Sequence, residues 1–464
     1  MECNYSRVRA LTKSLIILLS ILLFFLANNI ISKEYAETMD KGISVKRETR
    51  ESFAAPIPSL KLSKMRLFTG GRHLFRRSWT PAPSSVKSLD GLGPVFNRVS
   101  CSGCHVKDGR GRPPKEDGKF RSMVIKLSRI ENGKVYPDPN YGYQLNDKSI
   151  LGVPFEGKAS IHYSLINQKF DDGTSKNLSM PNYDLHSLSF GELHKDTQSS
   201  GRVAPVVFGL GLIEAIKEID ILKNADPKDI NGDGISGRIH KIKDLPSKKI
   251  MVGKFGWKAT RAKLLHHITG AASQDMGLTS YIFPEKNCMQ IQKACLKQIE
   301  GGKPEISENQ IERLLVYMQT LAPPRQRNAK EKNVLEGQNL FKKIGCENCH
   351  ISTYKTGAHP NHSELSNRII KPYSDFLLHN MGKDLDDGVN EGEAKSYEWK
   401  TPPLWGIGLV KIVNRHTRFL HDGRAKSIEE AILWHGGEGL EAKNHYISLT
   451  SKNRKKLLIF LNSL

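Results

Sequence analysis

Cys101-Ser-Gly-Cys-His105 and Cys346-Glu-Asn-Cys-His350 are two copies of one pentapeptide, Cys-x-x-Cys-His. Two thiols three positions apart can each close a thioether onto one edge of a porphyrin. The adjacent His then lies under the iron as an axial ligand. The alternatives are half of a zinc site, a redox dithiol, or chance. With 7 Cys and 16 His in 464 residues, chance expects roughly 0.004 matches. A zinc site would need both Cys pairs to converge and gains nothing from a His directly after the second Cys. The motifs therefore read as anchors for two covalently bound haem c groups. Cys101, Cys104, Cys346 and Cys349 carry the thioethers, and His105 and His350 are axial ligands.

Outward from the motifs the chain repeats itself. Gly71-Arg-His-Leu-Phe75 precedes the first motif and Gly337-Gln-Asn-Leu-Phe341 the second. After them come APVVFGLGL (204–212) and TPPLWGIGL (401–409), which align Phe208 with Trp405, Gly209 with Gly406 and Gly211 with Gly408. A looser pair sets FGWKATRAKLLHHI (255–268) against FLHDGRAKSIEEAI (419–432), with Trp257 opposite His421. Two copies of one haem domain follow, the first lengthened by insertions. Helical signals dominate. In 306–324 apolar residues recur at Ile311, Leu314, Leu315 and Met318, Ser307 can cap, and Pro323-Pro324 stop the helix. Residues 427–434 read as a short amphipathic helix, and the Gly-, Pro- and Asn-rich stretches 81–98 and 107–118 as loops around a cofactor. The expected class is mostly α, with long loops. The domains are placed at 65–323, with the open haem, and 324–464, with the electron-transfer haem.

Residues 1–36 read as a signal peptide or N-terminal anchor: Arg7, Arg9 and Lys13 precede an apolar run from Leu15. Residues 37–64 are charged and aperiodic, and read as a linker. The rest is expected outside the cytoplasm, in the periplasm. The net charge of +22 suits an acidic redox partner or an anionic membrane surface. No basic stripe with interleaved aromatics argues for nucleic acid. Cys288 and Cys295 are expected to form a disulfide in an oxidising compartment, with two buried free thiols as the alternative.

What faces each iron opposite its His decides between electron transfer and chemistry. His435 follows His421 by fourteen residues, and the same offset from Trp257 lands on Ala271. An ordinary surface His is the alternative. Alanine cannot ligate iron, so the second haem is expected closed and the first open. Residues 229–240, DINGDGISGRIH, resemble a calcium loop. Asp229, Asn231 and Asp233 alternate, Gly234 allows the turn, and Ile235 would offer its carbonyl. His240 stands where such a loop supplies a bidentate Glu, and a metal-free Gly/Asp turn is the alternative.

These residues together resemble the bacterial di-haem cytochrome c peroxidase superfamily, within it the thiol-oxidoreductase-like, di-haem oxidoreductase branch. The likeness runs from about residue 65 to 464. It rests on GLGPVFNRVSCSGCH, APVVFGLGLIEAI, NGDGISGR, FGWKA, DMG (275–277), TPPLWGIG and HDGRAKSIEEAILWHGG. It implies two cytochrome c-like haem domains in tandem. The N-terminal haem would be peroxidatic and fed with electrons by the C-terminal one. The position fourteen residues after HDG, Met in many such peroxidases, is His435 here; bis-His ligation would lower that haem's potential. The inter-haem tryptophan falls on Trp257, with plain packing as the alternative role. The distal-pocket Gln ten residues later is His267. The catalytic acid, usually Glu before Met, falls on Asp275, whose alternative role is a helix cap or turn. Around Arg121 the chain lacks the removable distal His of many relatives.

The function expected is peroxide reduction, with Asp275 moving the proton, His267 assisting, and Gln144 and Glu156 as further pocket candidates. Electrons would come from a small donor protein of cytochrome or cupredoxin type, or a quinol-linked donor. The alternatives are an electron-transfer cytochrome without turnover and an oxidase of a protein or thiol substrate.

Overall fold

Six helices position the site in the computed structural model, which describes residues 41–115, 118 and 120–464. They are α1 (Leu62–Arg76), α2 (Leu264–Met276), α3 (Glu308–Thr320), α4 (Lys332–Lys343), α5 (Ile428–Leu433) and α6 (Ser451–Ser463). The leader or anchor expected over 1–36 lies outside the described residues. Among the described residues no helix is long and apolar enough to cross a membrane.

Two helix pairs repeat one contact. In α1, Phe68, Gly71 and Phe75 are buried, and in α4 Val334, Gly337 and Phe341 are, at the same spacing. A Cβ on Gly71 would meet the Arg313 carbonyl and lie 2.7 Å from Tyr317 Cβ on α3. A Cβ on Gly337 would meet the Lys456 carbonyl and lie 2.7 Å from Phe460 Cβ on α6. Glycine at these points lets the backbones approach closely. α3 begins at a capping box in which Ser307 and Gln310 satisfy each other's backbone amides. α5 is capped by Ser427, whose hydroxyl accepts from Glu430 N at 3.1 Å.

The two halves meet through a reciprocal contact. Gly209 and Gly406 both have left-handed backbones, φ 71° and 76°. A Cβ on Gly406 would lie 2.6 Å from Phe208 Cζ, and one on Gly209 would run into Trp405. Gly406→Ala combines left-handed strain with overpacking. It should cost about 2 kcal/mol or more of stability, read as a lower denaturant midpoint. An unchanged midpoint would mean that the contact yields freely.

The expectation of a mostly α chain is not met: the described residues are 29% helix and 19% strand, in many small sheets. The largest is built on β1 (Met123–Glu131), paired with β2 (Gln144–Leu145), with β5 (Gln198–Val203) and with the short strand Lys134–Tyr136. β3 (Lys158–Lys169) and β4 (Ser175–His186) form a separate antiparallel ribbon, Lys158 opposite His186 and Lys169 opposite Ser175. Strand β3 buries only Ile161. Ala159, Ile161, Tyr163 and Leu165 alternate with polar residues along it, the period of a strand, and the expectation of a mostly helical chain passed over that pattern. The ribbon's tip reaches the second half. The Arg454 guanidinium lies 4.2 Å from the Phe170 ring centroid and pairs with Asp172 at 2.5 Å.

The stretch 37–64, read as a linker, is packed from residue 41 onward. Ile43, Phe53 and Ile57 are buried, the Phe53 ring packs tilted against that of Phe208 at 4.5 Å, and Pro56 bridges to Leu321. The stretch folds as successive turns and isolated bridges, with no helix or strand among its described residues before Leu62, so periodicity does not find it.

Candidate functional site

Both Cys-x-x-Cys-His motifs line one continuous cavity of about 620 Å³. Each motif folds as a 3-10 turn in which the His amide donates back to the first Cys carbonyl, at 3.0 Å in both copies. All four cysteines are free thiols. Burial pushes the Cys101, Cys104 and Cys346 thiols up to about 12. A redox dithiol needs the opposite, a depressed thiol pKa. Nor do the Cys pairs converge as a zinc site would require. Among the described residues the one group with metal-binding spacing is Cys349, Asp375 and His379.

The imidazoles are set for ligation. His105 Nδ1 lies 2.7 Å from the Pro205 carbonyl and His350 Nδ1 2.9 Å from that of Tyr373. An Nδ1–H donated to a carbonyl leaves Nε2 bare for a metal. Burial lowers both pKa values, that of His350 to about 4. Phe75 lies 6.1 Å from His105 and Phe341 6.2 Å from His350, so each ring has the same neighbour. His435 also lines the cavity, just past α5. Its Nδ1 lies 2.7 Å from the Ala431 carbonyl, so its Nε2 is free too. It is near enough to His350 to depress that residue's pKa further.

Across from the first motif stands α2. His267, Ala271 and Asp275 follow at intervals of four and line the cavity as one helix face. Ala271 is the only exposed residue of α2: its methyl looks into open space. Burial and the Arg261 charge lower His267 to about 3, so its imidazole is neutral. Asp275 Oδ1 accepts from Gln144 Nε2 at 2.8 Å. Its backbone carbonyl accepts from Asn97 N at 2.9 Å and Arg98 N at 3.1 Å. The helix ends at Gly277, φ 67°, where a Cβ would lie 2.7 Å from Gly93 Cα. This close approach links the DMG and GLGP stretches.

Trp257 lies in the cavity wall. Its Nε1 donates to the Val203 carbonyl at 2.9 Å, and the Arg110 guanidinium sits 5.1 Å from its ring centroid. Glu156 does not line the cavity. It is buried against Asn146 and Gln292, and burial pushes its pKa up to about 8. Cys288 and Cys295 are joined, Cα–Cα 5.9 Å, away from the cavity.

The loop at 229–240 turns on itself. Asp229 accepts from Gly234 N, Asp233 from Ile235 N, and the Asn231 amide donates to Asp233 at 3.1 Å. Side-chain oxygens of Asp229, Asn231 and Asp233 accept from the loop's own amides, and Ile235 lines the cavity.

Three wall residues carried no sequence signal. Lys254 and Lys400 are buried, and burial lowers each to about 8. His379 is clamped between Asp375 Oδ2 at 2.8 Å and Glu438 Oε2 at 2.6 Å. Burial opposes its protonation, yet these carboxylates hold its pKa well above the usual value. Free thiols, bare imidazole nitrogens, an apolar cavity, and buried lysines to balance carboxylates together fit haem.

A family model described as "di-haem oxidoreductase, putative peroxidase" matches residues 33–134 and 180–464. A search of curated proteins finds no match.

Proposed function

The chain belongs to the di-haem oxidoreductase family, and from that premise we propose that it is an exported peroxidase with two covalently attached haems. Cys101 and Cys104 would hold one and Cys346 and Cys349 the other, with His105 and His350 as axial ligands. Bound haem supplies a redox iron able to ligate and reduce a peroxide. One observation carries the reading: the cavity has two unlike faces. Ala271 leaves space beside His267 and Asp275, whereas His435 presents a free Nε2 near His350.

The residues divide the work accordingly. His435 closes the second site and makes it a relay. Trp257 stands in the wall shared by both sites. At the first, heterolysis of a peroxide needs a proton carried from its inner to its outer oxygen. Asp275 Oδ2, without a hydrogen-bond partner among the described residues, takes that proton and returns it. His267, neutral, orients the peroxide. Two electrons and two protons convert hydrogen peroxide to two waters. The electrons arrive singly at the second site from a small cytochrome- or cupredoxin-type protein, or a quinol-linked donor. The excess of positive charge supports an acidic donor or an anionic membrane surface in the periplasm.

Pyridine haemochrome titration should find two haems per chain, and Cys104→Ser or Cys349→Ser should each leave one fully attached. One haem in the wild type would sink the reading. Two low-spin haems inert to peroxide would make the protein an electron carrier. A high-spin first haem without peroxide turnover would favour a protein or thiol substrate.

A further inference from the structure

We infer that Gln144 is a positioning residue that dictates which oxygen of Asp275 carries the transferable proton. The inference rests on the reading of Asp275 as proton mover and goes one residue beyond it. Gln144 sits on β2, is 4% exposed, and lies in the stretch between residues 134 and 180 that the family match omits. A strand from the omitted stretch therefore reaches the site.

Its orientation is determined by what surrounds it. Gln144 Nε2 lies 2.8 Å from Asp275 Oδ1, 2.7 Å from Asn97 Oδ1 and 3.2 Å from the Gln274 carbonyl. Asn97 Oδ1 is itself fixed as an acceptor, because Asn97 Nδ2 donates to the Leu145 carbonyl at 2.9 Å. Turning the Gln144 amide over would press its oxygen against three acceptors. Gln144 Oε1 instead stays buried without a partner. An amide kept in that state must be held by what its nitrogen does.

The consequence is chemical. An Asp275 Oδ1 that accepts from an N–H cannot also bear the proton along that direction. The proton is confined to Oδ2, which lacks a partner among the described residues. β1 supports the same helix turn: Lys126 Nζ donates to Gln274 Oε1 at 2.9 Å. Without the Gln144 contact the carboxyl can rotate about its Cβ–Cγ bond, and the proton spends time on the oxygen turned away from the cavity.

Cyanide and carbon monoxide separate positioning from simple loss of structure. Hydrogen cyanide binding to the ferric first haem breaks the H–C bond and places the proton on Asp275 Oδ2. Carbon monoxide binding to the ferrous haem moves no proton. The holoprotein variant Gln144→Met keeps length and packing and removes the donor. It should slow cyanide capture about tenfold, the scale of one hydrogen bond to a charged group, and leave carbon monoxide binding unchanged. Gln144→His, which restores an N–H, should recover part of the rate. Equal cyanide rates in wild type and Gln144→Met overturn the inference if Asp275→Asn is slow. If Asp275→Asn also captures cyanide at the wild-type rate, the reading of Asp275 itself falls. Parallel losses for both ligands would mark Gln144 as structural and overturn the inference.

Discussion

Asp275→Asn should lower peroxide turnover by about 10²–10⁴-fold, the usual contribution of one positioned acid or base. The substitution keeps size and shape and removes the only group on the exposed face of α2 able to hold a proton and return it. His267, on the same face, has its pKa lowered to about 3 by burial and the Arg261 charge. It therefore cannot substitute as a proton donor near neutral pH. The fold should survive, because the backbone bonds from Asn97 and Arg98 go to the Asp275 carbonyl rather than to its carboxylate. Asparagine can still accept from Gln144 through its amide oxygen. Haem content, first-haem spin state and reduction of the second haem should stay at wild-type values. His267→Ala should have a smaller effect. Steady-state peroxide consumption with an artificial one-electron donor makes the measurement. Full activity in Asp275→Asn would place the acid elsewhere. Glu156 would be a poor successor, since it lies outside the cavity lining.

His435→Ala should convert the second haem from low-spin to high-spin while the first is unaltered, a complete change in one of two electron paramagnetic resonance signals. The expectation follows from the short helix that delivers the ring. Ser427 caps α5, and the helix ends at Leu433. Trp434 is then buried under the Arg424 guanidinium, 4.8 Å from its ring centroid. That anchor and the Nδ1 contact to Ala431 direct Nε2 of the next residue into the cavity. Truncation removes the ring and leaves the anchor. A persistent low-spin signal would assign the ligand to another residue of the same wall, and Met381 lines it too.

Features legible in the sequence are those whose cause is local. The Cys-x-x-Cys-His turn closes within five residues. The Ser307 cap and the Pro323-Pro324 stop need only their own helix. The paired glycines at 71 and 337, and at 209 and 406, were legible because the repeat prints each twice. Their reason is tertiary: each lies where another backbone or an aromatic ring presses in. His267 and Asp275 were named only through the family resemblance, and the structure shows that one helix carries both.

Other features had no local cause to read. The ribbon 158–186 carries a period-2 pattern from Ala159 to Leu165, but its separation from the larger sheet and the docking of its tip on Arg454 are tertiary. The segment after residue 41 looks like a linker until Phe53 is seen against Phe208. Arg110 meets Trp257, and Gln144 meets Asp275, across chain separations of more than a hundred residues. Composition at either end says nothing about such meetings. A helix or turn is specified by neighbours a few residues away, and its pattern survives in the string. A wall built from insertions and buried charges is specified by what folds against it, and only the assembled chain supplies that.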